Sequence, residues 1–575
     1  METTEIFKVS KFDTKPYDDQ KMGTSGLRKK VKVFQKEHYL ENFVQSIFDA
    51  YKPEDYQGKS LVVAGDGRFY NDVVIQKLLK IACAHCVGKI ILAENGMMCT
   101  PGVSLLIRSL PKGSCFGGFI LTASHNPGGP DNDMGIKFNG ENGAAIPEHM
   151  NFKVWEISKK IEHYIMMDYQ KEISLTKPSE FKVERDGKVH TVKIEIESTT
   201  EHYIKEMKDL FDFDLIKTLF DRKDFKFVYD GLHGMGGPYA IEIFHKIFGV
   251  DMKNLHNCNP LPDFGGFHPD PNLHYAKDLV DIMDIFNKRP NDQDIPDFGA
   301  STDGDADRNM ILGNRTFVVP SDSVAVICAN AKYIKCLSSG IIGTARSVPT
   351  SSAVDRVAKK MGIPYYEVPT GWKFFGNLLD AKKINLCGEE AFGTGSSHVR
   401  EKDGLWAVLC WLSILAHKNK DNTGKLIGVR DVLEEHFKTY GREYYRRHDY
   451  EDLTNEQAEQ IKANLVKNFE MFDKMKEGNH AYIFEYKDPV DGLESKNQGW
   501  IFKYADGSRI VFRVSGTSST NVTIRIYLEK HIEPTGDVME DIDQMLEKGD
   551  NFVEIAEKIS HMKEITGRKG PNVIT

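Results

Sequence analysis

Apolar positions along this chain follow two alternating rhythms. Tyr39, Leu40, Phe43, Val44, Ile47, Phe48 and Tyr51 fall on one face of a helix. Residues 61–65 (LVVAG) form a short continuous apolar run, as a buried strand does. A helical pattern over 73–83 leads to a strand at 90–93. Thr100-Pro101 predicts a helix start, with Thr as N-cap and Pro at the first helical position. The strand at 118–121 follows. Strands alternating with helices predict a mixed or parallel sheet covered by helices. The pattern returns twice. A strand at 227–229, a helix over 238–248 and a strand at 298–301 make one block. Strands at 341–343 and 364–368, around a helix over 349–361, make another. These read as three related α/β modules. The last stretch differs. A long helix over 455–477 precedes extended runs at 500–504, 509–514 and 523–528 and a helix over 551–565, which predicts an α+β domain. The charged segment 169–205, with its alternating run 189–196, is expected to be a surface insertion or hairpin.

At 575 residues the chain exceeds a single core and predicts three to five domains. Its composition, 40% hydrophobic and 28% charged, is that of a globular protein. A net charge of -9 without a long basic run argues against nucleic acid as the main partner. The acidic, polar start METTE carries no secretory signal, and no apolar run reaches the roughly 20 residues of a membrane helix. Nine scattered cysteines fit a reducing, cytoplasmic setting. Cys83 and Cys86 make a CxxC within a helical apolar pattern, without a second pair at zinc spacing, so core packing is expected of them.

Polar, glycine-containing loops follow several strands, where α/β sheets bind ligands. TASHNPGG (122–129) places Ser124 past the 118–121 strand, poised as a nucleophile; Ser before Asn and Pro also caps turns, and the octet alone fits both readings. DGDADR (303–308) sets Asp303, Asp305 and Asp307 at alternating positions. Three such carboxylates repel one another unless a cation neutralises them, and oxygen-only ligands favour Mg²⁺, Ca²⁺ or Mn²⁺ over zinc. An EF-hand fails here, since Arg308 and Asn314 stand where it needs Gly and Glu. Glu389, beyond the strand at 384–387, is a candidate acceptor for sugar hydroxyls, although taken alone it fits a surface carboxylate equally well. Arg513, Ser515 and the hydroxyls around Gly516, with Arg525 beyond, form an anion nest or a plain serine-rich hairpin loop. Gly23 to Arg28 is another anion-friendly turn. Lys137, flanked by apolar residues, is expected to be partly desolvated with a lowered pKa, suiting acid/base work; an edge-strand lysine in solvent is the alternative.

In this order, GTSGLR (23–28), TASHNPGG (122–129), GIKFN (135–139), DGDADR (303–308), GWKFFGNLLDA (371–381), CGEEAFGTGS (387–396), REKDGLWA (400–407) and RVSGTSS (513–519) span nearly the whole chain. Together they resemble the eukaryotic phosphoglucomutases of the α-D-phosphohexomutase superfamily, parafusin-like members included. The resemblance implies four domains around a central cleft, three related α/β domains with mixed sheets plus a C-terminal α+β domain. The boundaries are placed at 1–205, 206–320, 321–435 and 436–575. It implies Ser124 as the carrier of the phosphoryl group, with Arg28, His125 and Lys137 beside it and Lys137 as general base or acid. Asp303, Asp305 and Asp307 match Mg²⁺ ligands, completed by an oxygen on Ser124. Thr24, Arg308, Thr370, Gly371, Glu389 and Lys402 match substrate positions. Arg513, Ser515, Thr517, Ser519 and Arg525 match the phosphate-binding loop.

The implied reaction interconverts glucose 1-phosphate and glucose 6-phosphate through phosphoserine and glucose 1,6-bisphosphate, with the last domain closing as a lid. Two positions depart from the family pattern. The usual Glu-x-Ser reads Glu389-Glu390-Ala391, and Ser518 replaces a usual Gly. A missing neutral hydrogen bond at Ala391 costs about 1 kcal/mol, so it bears on sugar choice rather than chemistry. Phosphomannomutase or glucose-1,6-bisphosphate synthase activity is the nearest alternative. A parafusin-like phosphoprotein role in exocytosis, on secretory vesicles, is the non-enzymatic one.

Overall fold

The computed structural model describes residues 5–23, 26–290, 294–515 and 522–575. Four main sheets divide the chain in sequence order. The first has nine strands. At its centre Ser60–Gly65 pairs in parallel with Lys89–Met97 and with Cys115–Leu121, and Cys115–Leu121 pairs antiparallel with Asp133–Gly140. The second and third sheets repeat this unit. Phe227–Asp230 lies parallel to Leu255–His256 and Phe298–Thr302, and Phe298–Thr302 is antiparallel to Asn309–Gly313. Thr344–Ser347 lies parallel to Tyr365–Val368 and Leu386–Glu389, and Leu386–Glu389 is antiparallel to Gly393–Ser396. The three-module expectation thus holds in strand order and direction. In each module the chain leaves the third parallel strand, turns, and returns antiparallel. The first two turns carry Ser124 and the Asp303–Asp307 loop, and Glu389 is the last strand residue before the third.

The fourth sheet is different. Its core ladder, from His480–Ile483 to Arg442–Leu453, is antiparallel throughout. Helices Asn455–Lys467 and Phe552–Ser560 bury an apolar face against it. This is the α+β unit expected of the last stretch.

One helix ties the second and third modules together. Gly404–Asn419 is apolar on all sides and buried along nearly its whole length. Such a helix belongs inside a core rather than on it. Trp406 and Trp411 sit in one cluster that also holds Phe298, Ile311 and Leu386 from the two adjoining sheets. No described helix is long and apolar enough to cross a membrane. All nine cysteines are free, and Cys83 and Cys86 are buried.

Several local expectations are corrected. Thr100 is not the N-cap; Cys99 is, its Sγ accepting from the Gly102 N–H. The third module's first strand is Thr344–Ser347 rather than 341–343, and its helix begins at Ala353 rather than 349. The 238–248 helix is α-helical only at its start and continues as a π-helix over Ile241–Ile247. The 455–477 helix breaks at Asn468, and the last one at His561, which adopts a left-handed conformation. Of the two expectations for 169–205, the hairpin holds, as Ser179–Arg185 with Lys188–Glu197, and the surface insertion does not, since the hairpin is built into the first sheet beside Lys89–Met97. The apolar faces of its strands, Phe181, Val183, Val192 and Ile194, complete that domain's core.

Candidate active site

Ser124 is 1% exposed and has φ of +54°, a left-handed conformation that a non-glycine residue adopts at a cost of about 1 kcal/mol or more. The surrounding contacts hold it there. The Ser124 N–H donates to Thr122 Oγ1 at 2.7 Å, and the Thr122 hydroxyl donates to Asp66 Oδ2 at 2.5 Å. Asp66 is ion-paired with Arg68, both side chains being fully buried. Arg68 Nη2 in turn donates to the Ser124 carbonyl at 2.8 Å, and its Nη1 reaches the Asp133 carbonyl at 2.9 Å. The guanidinium stacks over the Phe264 ring at 5.1 Å. Gly135 lets the next strand pass beneath this loop, since a Cβ there would lie 2.1 Å from the Thr122 carbonyl.

The acidic loop meets Ser124 from the second module. Ser124 Oγ donates to Asp303 Oδ2 at 2.8 Å. Asp303, Asp305 and Asp307 are buried and offer three carboxylate oxygens within 4.8 Å of one another. Burial, then repulsion from Asp305 and Asp307, raises the Asp303 carboxyl well above its ordinary range. Burial also opposes the Asp305 charge, but Lys137 and the Thr100 hydroxyl outweigh it and hold that carboxyl low. Thr100 Oγ1 donates to Asp305 Oδ2 at 2.6 Å, while Asp305 Oδ1 is buried without a hydrogen-bond partner. A buried, mutually repelling, oxygen-only triad with an orphaned oxygen fits a hard divalent cation.

Lys137 Nζ lies 3.1 Å from Asp305 and 3.6 Å from Asp307. This corrects two expectations. Its strand is flanked on both sides, by Leu27–Lys30 and Cys115–Leu121. Burial does lower its pKa, but Asp305, Asp307 and Glu401 outweigh it, and the ammonium is held above the ordinary lysine range. His125 is half-buried, its Nδ1 3.4 Å from Ser124 Oγ. Burial and the charges of Arg308 and Arg28 hold it well below the ordinary histidine range. Arg28 faces the same carboxylates with its Nε buried and unpaired.

A cavity of about 160 Å³ opens beside this centre. Lys137, Arg308, Thr370, Gly371, Glu389, Lys402, Arg513 and Arg525 all line it, so residues from four separate sheets and their loops converge there. Lys402 Nζ bridges Asp307 at 3.2 Å and Glu389 at 3.4 Å. Arg308 Nη1 is fixed by Asp270 at 3.1 Å, while its Nε is buried and unpaired. The Thr370 hydroxyl is likewise buried without a partner. Unsatisfied polar atoms around a cavity mark groups that a polar ligand satisfies. Ala391 lines the same wall. Arg513 and Arg525 stand directly opposite each other across two strands, and Ser515 pairs with Thr523 on the same ladder. Two facing guanidinium groups are unfavourable without an anion. Thr24, Thr517 and Ser519 lie outside the described residues. A larger cavity, about 690 Å³, lies near Arg108, Asn142, Lys373 and Asp380, away from the acidic triad.

Sequence reasoning missed Asp66, Arg68, Phe264 and Asp270. Asp66-Gly67-Arg68 is itself a polar loop directly after an apolar strand, the signal that found the other loops. Phe264 sits between Arg68, Gly128 and Gly304, where added Cβ atoms would meet its ring at 3.1 Å. Nothing in its local spacing announces that place.

Family models match four consecutive segments. The Phosphoglucomutase/phosphomannomutase alpha/beta/alpha domains I, II and III match residues 19–165, 201–316 and 320–440, and the Phosphoglucomutase-1 C-terminal domain matches 442–572. A phosphoglucomutase named as cytoplasmic, from Mesembryanthemum crystallinum, is 49% identical over 99% of this chain and 100% of its own length. Phosphoglucomutase-2 of Paramecium tetraurelia is 48% identical over 98% of both chains. The open-form crystal structure of the exocytosis-sensitive phosphoprotein pp63/parafusin, a phosphoglucomutase from Paramecium, superposes with a TM-score of 0.93 at 47% identity over 100% of both chains. A Phosphoglucomutase/phosphomannomutase family protein from Burkholderia thailandensis shares the fold at a TM-score of 0.60 and 17% identity. Full-length identity near one half, four matched domains in order and a convergent cleft lead to one conclusion: the chain belongs to the phosphoglucomutase family.

Proposed function

We propose that this protein interconverts glucose 1-phosphate and glucose 6-phosphate, with Ser124 as the phosphoryl carrier. The observation that carries the reading is Ser124 itself, strained, buried and hydrogen-bonded to Asp303, in the acidic loop whose Asp307 lines a cavity reached from all four domains. Phosphorylated Ser124 gives its phosphoryl group to the free sugar hydroxyl. The Oγ–P bond breaks, a sugar O–P bond forms, and glucose 1,6-bisphosphate results. After the bisphosphate turns over, Ser124 takes the other phosphoryl group and the product leaves. The sugar hydroxyl gives its proton to a neutral group beside Ser124, for which His125 is the candidate, and the departing Ser124 Oγ takes one from a protonated group, for which Lys137 is the candidate.

Phosphoryl transfer leaves positioning and charge neutralisation as the protein's main tasks. Asp303, Asp305 and Asp307 would hold Mg²⁺, which when bound neutralises charge on the transferring group. Arg28 and Lys137 add positive charge at the same place. Glu389, Thr370 and Lys402 orient the sugar ring. Arg308 meets its near side, and Arg513, Ser515 and Arg525 grip the phosphate that is not reacting, a task that Thr24, Thr517 and Ser519 are proposed to share. The domains proposed are 1–205, 206–320, 321–435 and 436–575, the last closing over the intermediate. The relatives named cytoplasmic support a cytoplasmic location.

A coupled assay with glucose 1-phosphate, Mg²⁺ and trace glucose 1,6-bisphosphate tests the reading. Wild-type protein turns over and carries an acid-stable phosphate label. Ser124→Ala loses the label and at least about a thousandfold in rate, as loss of a covalent nucleophile does. Wild-type turnover in that variant sinks the assignment.

A further inference from the structure

We propose that Arg447 is a positioning residue that sets the spacing between the sugar-contacting loop and the phosphate-gripping strands. The proposal rests on the phosphoglucomutase reading above and deepens it. A line of alternating charges crosses the cleft wall. Arg447 Nη1 lies 3.1 Å from Glu390 Oε2, in the loop that carries Glu389. Arg447 Nε lies 3.0 Å from Asp449 Oδ1, and Asp449 Oδ2 lies 3.4 Å from Arg525 Nε. Glu390 and Asp449 are both buried. The line continues on the far side of Glu390, where Glu389 meets Lys402 and Lys402 meets Asp307.

Strand geometry explains why these groups meet. Arg447 and Asp449 are two residues apart on Arg442–Leu453, so they face the same side. Asp449 stands directly opposite Arg525, and Arg525 directly opposite Arg513. Asp449 therefore neutralises one guanidinium of a facing pair and leaves the other's charge for an anion. Glu390 is anchored at the opposite end. Its N–H donates to Thr350 Oγ1 at 2.9 Å, and the Thr350 carbonyl accepts from Arg346 and Arg509.

Arg447 is not what keeps the last domain attached. Further ion pairs, which Arg447 does not enter, join Arg346 and Arg509 to Glu367, and Arg509 to Glu529. Arg356 meets Glu443 across the same interface, and Tyr445 and Tyr527 pack against Val319 and Val348. With those ties in place, the Arg447 fork links one loop that reads the sugar to one arginine that reads the distant phosphate. A guanidinium presents separate nitrogens to the two carboxylates at once, which a lysine's single ammonium does only in part. Its consequence is tight holding of a bisphosphate whose ring and far phosphate are gripped at one fixed separation.

The test compares full-length wild type with Arg447→Met and Arg447→Lys. Calorimetric binding of glucose 1,6-bisphosphate and its concentration for half-maximal turnover are both measured. We expect Arg447→Met to weaken binding and raise that concentration by roughly ten- to hundredfold, the range of coupling between two linked sites. Phosphate labelling of Ser124 persists, and Arg447→Lys recovers part of the loss. Where Arg447→Met fails to fold, Asp449→Asn carries the same expectation. Unchanged binding and unchanged bisphosphate requirement in an active protein overturn the proposal. A wild type that binds the bisphosphate but turns over no glucose phosphate overturns the mutase reading instead, while weaker binding by Arg447→Met still supports the positioning role.

Discussion

The two ends of the cleft are built on opposite plans. At the nucleophile end, Ser124 is buried in a left-handed conformation and gripped from its own domain by Thr122 and Arg68 and from the next by Asp303. At the phosphate end, Arg513, Ser515 and Arg525 are half-buried on the edges of two strands. Among the described residues, Arg525 is tied to Asp449 and Ser515 to Thr523, both inside one sheet. The difference follows from the task. Bond exchange at Ser124 rewards donors and charges fixed before the reaction, because any reorganisation adds to the barrier. The far phosphate is held rather than bonded, so its site needs accessible positive charge and no strain. Strain sits where a bond changes, and half-buried cations sit where a group is only held.

The sharpest way to break that comparison is to remove one arginine from each end. Arg68→Met leaves Asp66 buried without its partner, which costs about 3–5 kcal/mol of stability. It also frees the Ser124 carbonyl, so kcat falls along with the unfolding temperature. Arg525→Ala removes a half-exposed cation from the other end. There KM for glucose 1-phosphate rises by about ten- to hundredfold, while the unfolding temperature moves little. Differential scanning calorimetry and steady-state kinetics on both variants separate the two patterns. Equal stability losses would mean that the ends are built alike.

This contrast also marks what the sequence discloses. Ser124, Asp303, Asp305 and Asp307 are readable because chemistry at a strand end leaves a local signature: an apolar run, a glycine turn, and clustered hydroxyls or carboxylates. Arg68 carries the same signature in Asp66-Gly67-Arg68, although its partner Ser124 lies 56 residues away, whereas Phe264 acts through Arg68, Gly128 and Gly304 and no local rhythm records it. Lys137 shows the limit from the other side. Its apolar neighbours pointed to a lowered pKa, and only the fold reveals that Asp305 and Asp307, supplied by another domain, reverse the sign. The three-module plan was legible because the unit recurs. The exact start of the strand Thr344–Ser347 was not, because the strand itself is polar and the apolar run Ile341-Ile342 lies just before it.

Ala391 sharpens the comparison within the sugar wall between the two ends. Its side chain lines the cavity beside Glu389 and Glu390, where a serine would add one hydroxyl. Ala391→Ser is expected to lower KM for glucose 1-phosphate by about fivefold, the equivalent of one neutral hydrogen bond of about 1 kcal/mol, and to leave kcat unchanged. The ratio of kcat/KM for glucose 1-phosphate and mannose 1-phosphate measures it. An unchanged ratio would show that Glu389 and Lys402 alone set the sugar preference.

The smallest expected effect lies at the junction leading into the phosphate end. Gly441, at φ of +81°, joins the helix Val429–Tyr440 to the strand Arg442–Leu453 of the fourth sheet. A Cβ on it would come within 2.6 Å of the His531 ring. His531 Nδ1 lies 3.0 Å from Glu443 Oε1 and its Nε2 3.4 Å from Glu533, while Glu443 also meets Arg356 across the interface. Burial pushes the His531 pKa down and Arg356 adds to that, but Glu443 and Glu533 outweigh both, so it stands above the ordinary value of 6.5. A histidine raised on folding gives its full stabilisation below its unfolded pKa and loses it as pH rises through the folded one. The anchoring of the last domain should therefore weaken as pH rises above about 6.5. Thermal unfolding across pH 6 to 8 reads this directly, and His531→Gln should flatten the dependence. A variant with the same slope as wild type would place the titrating group elsewhere and leave this junction indifferent to pH.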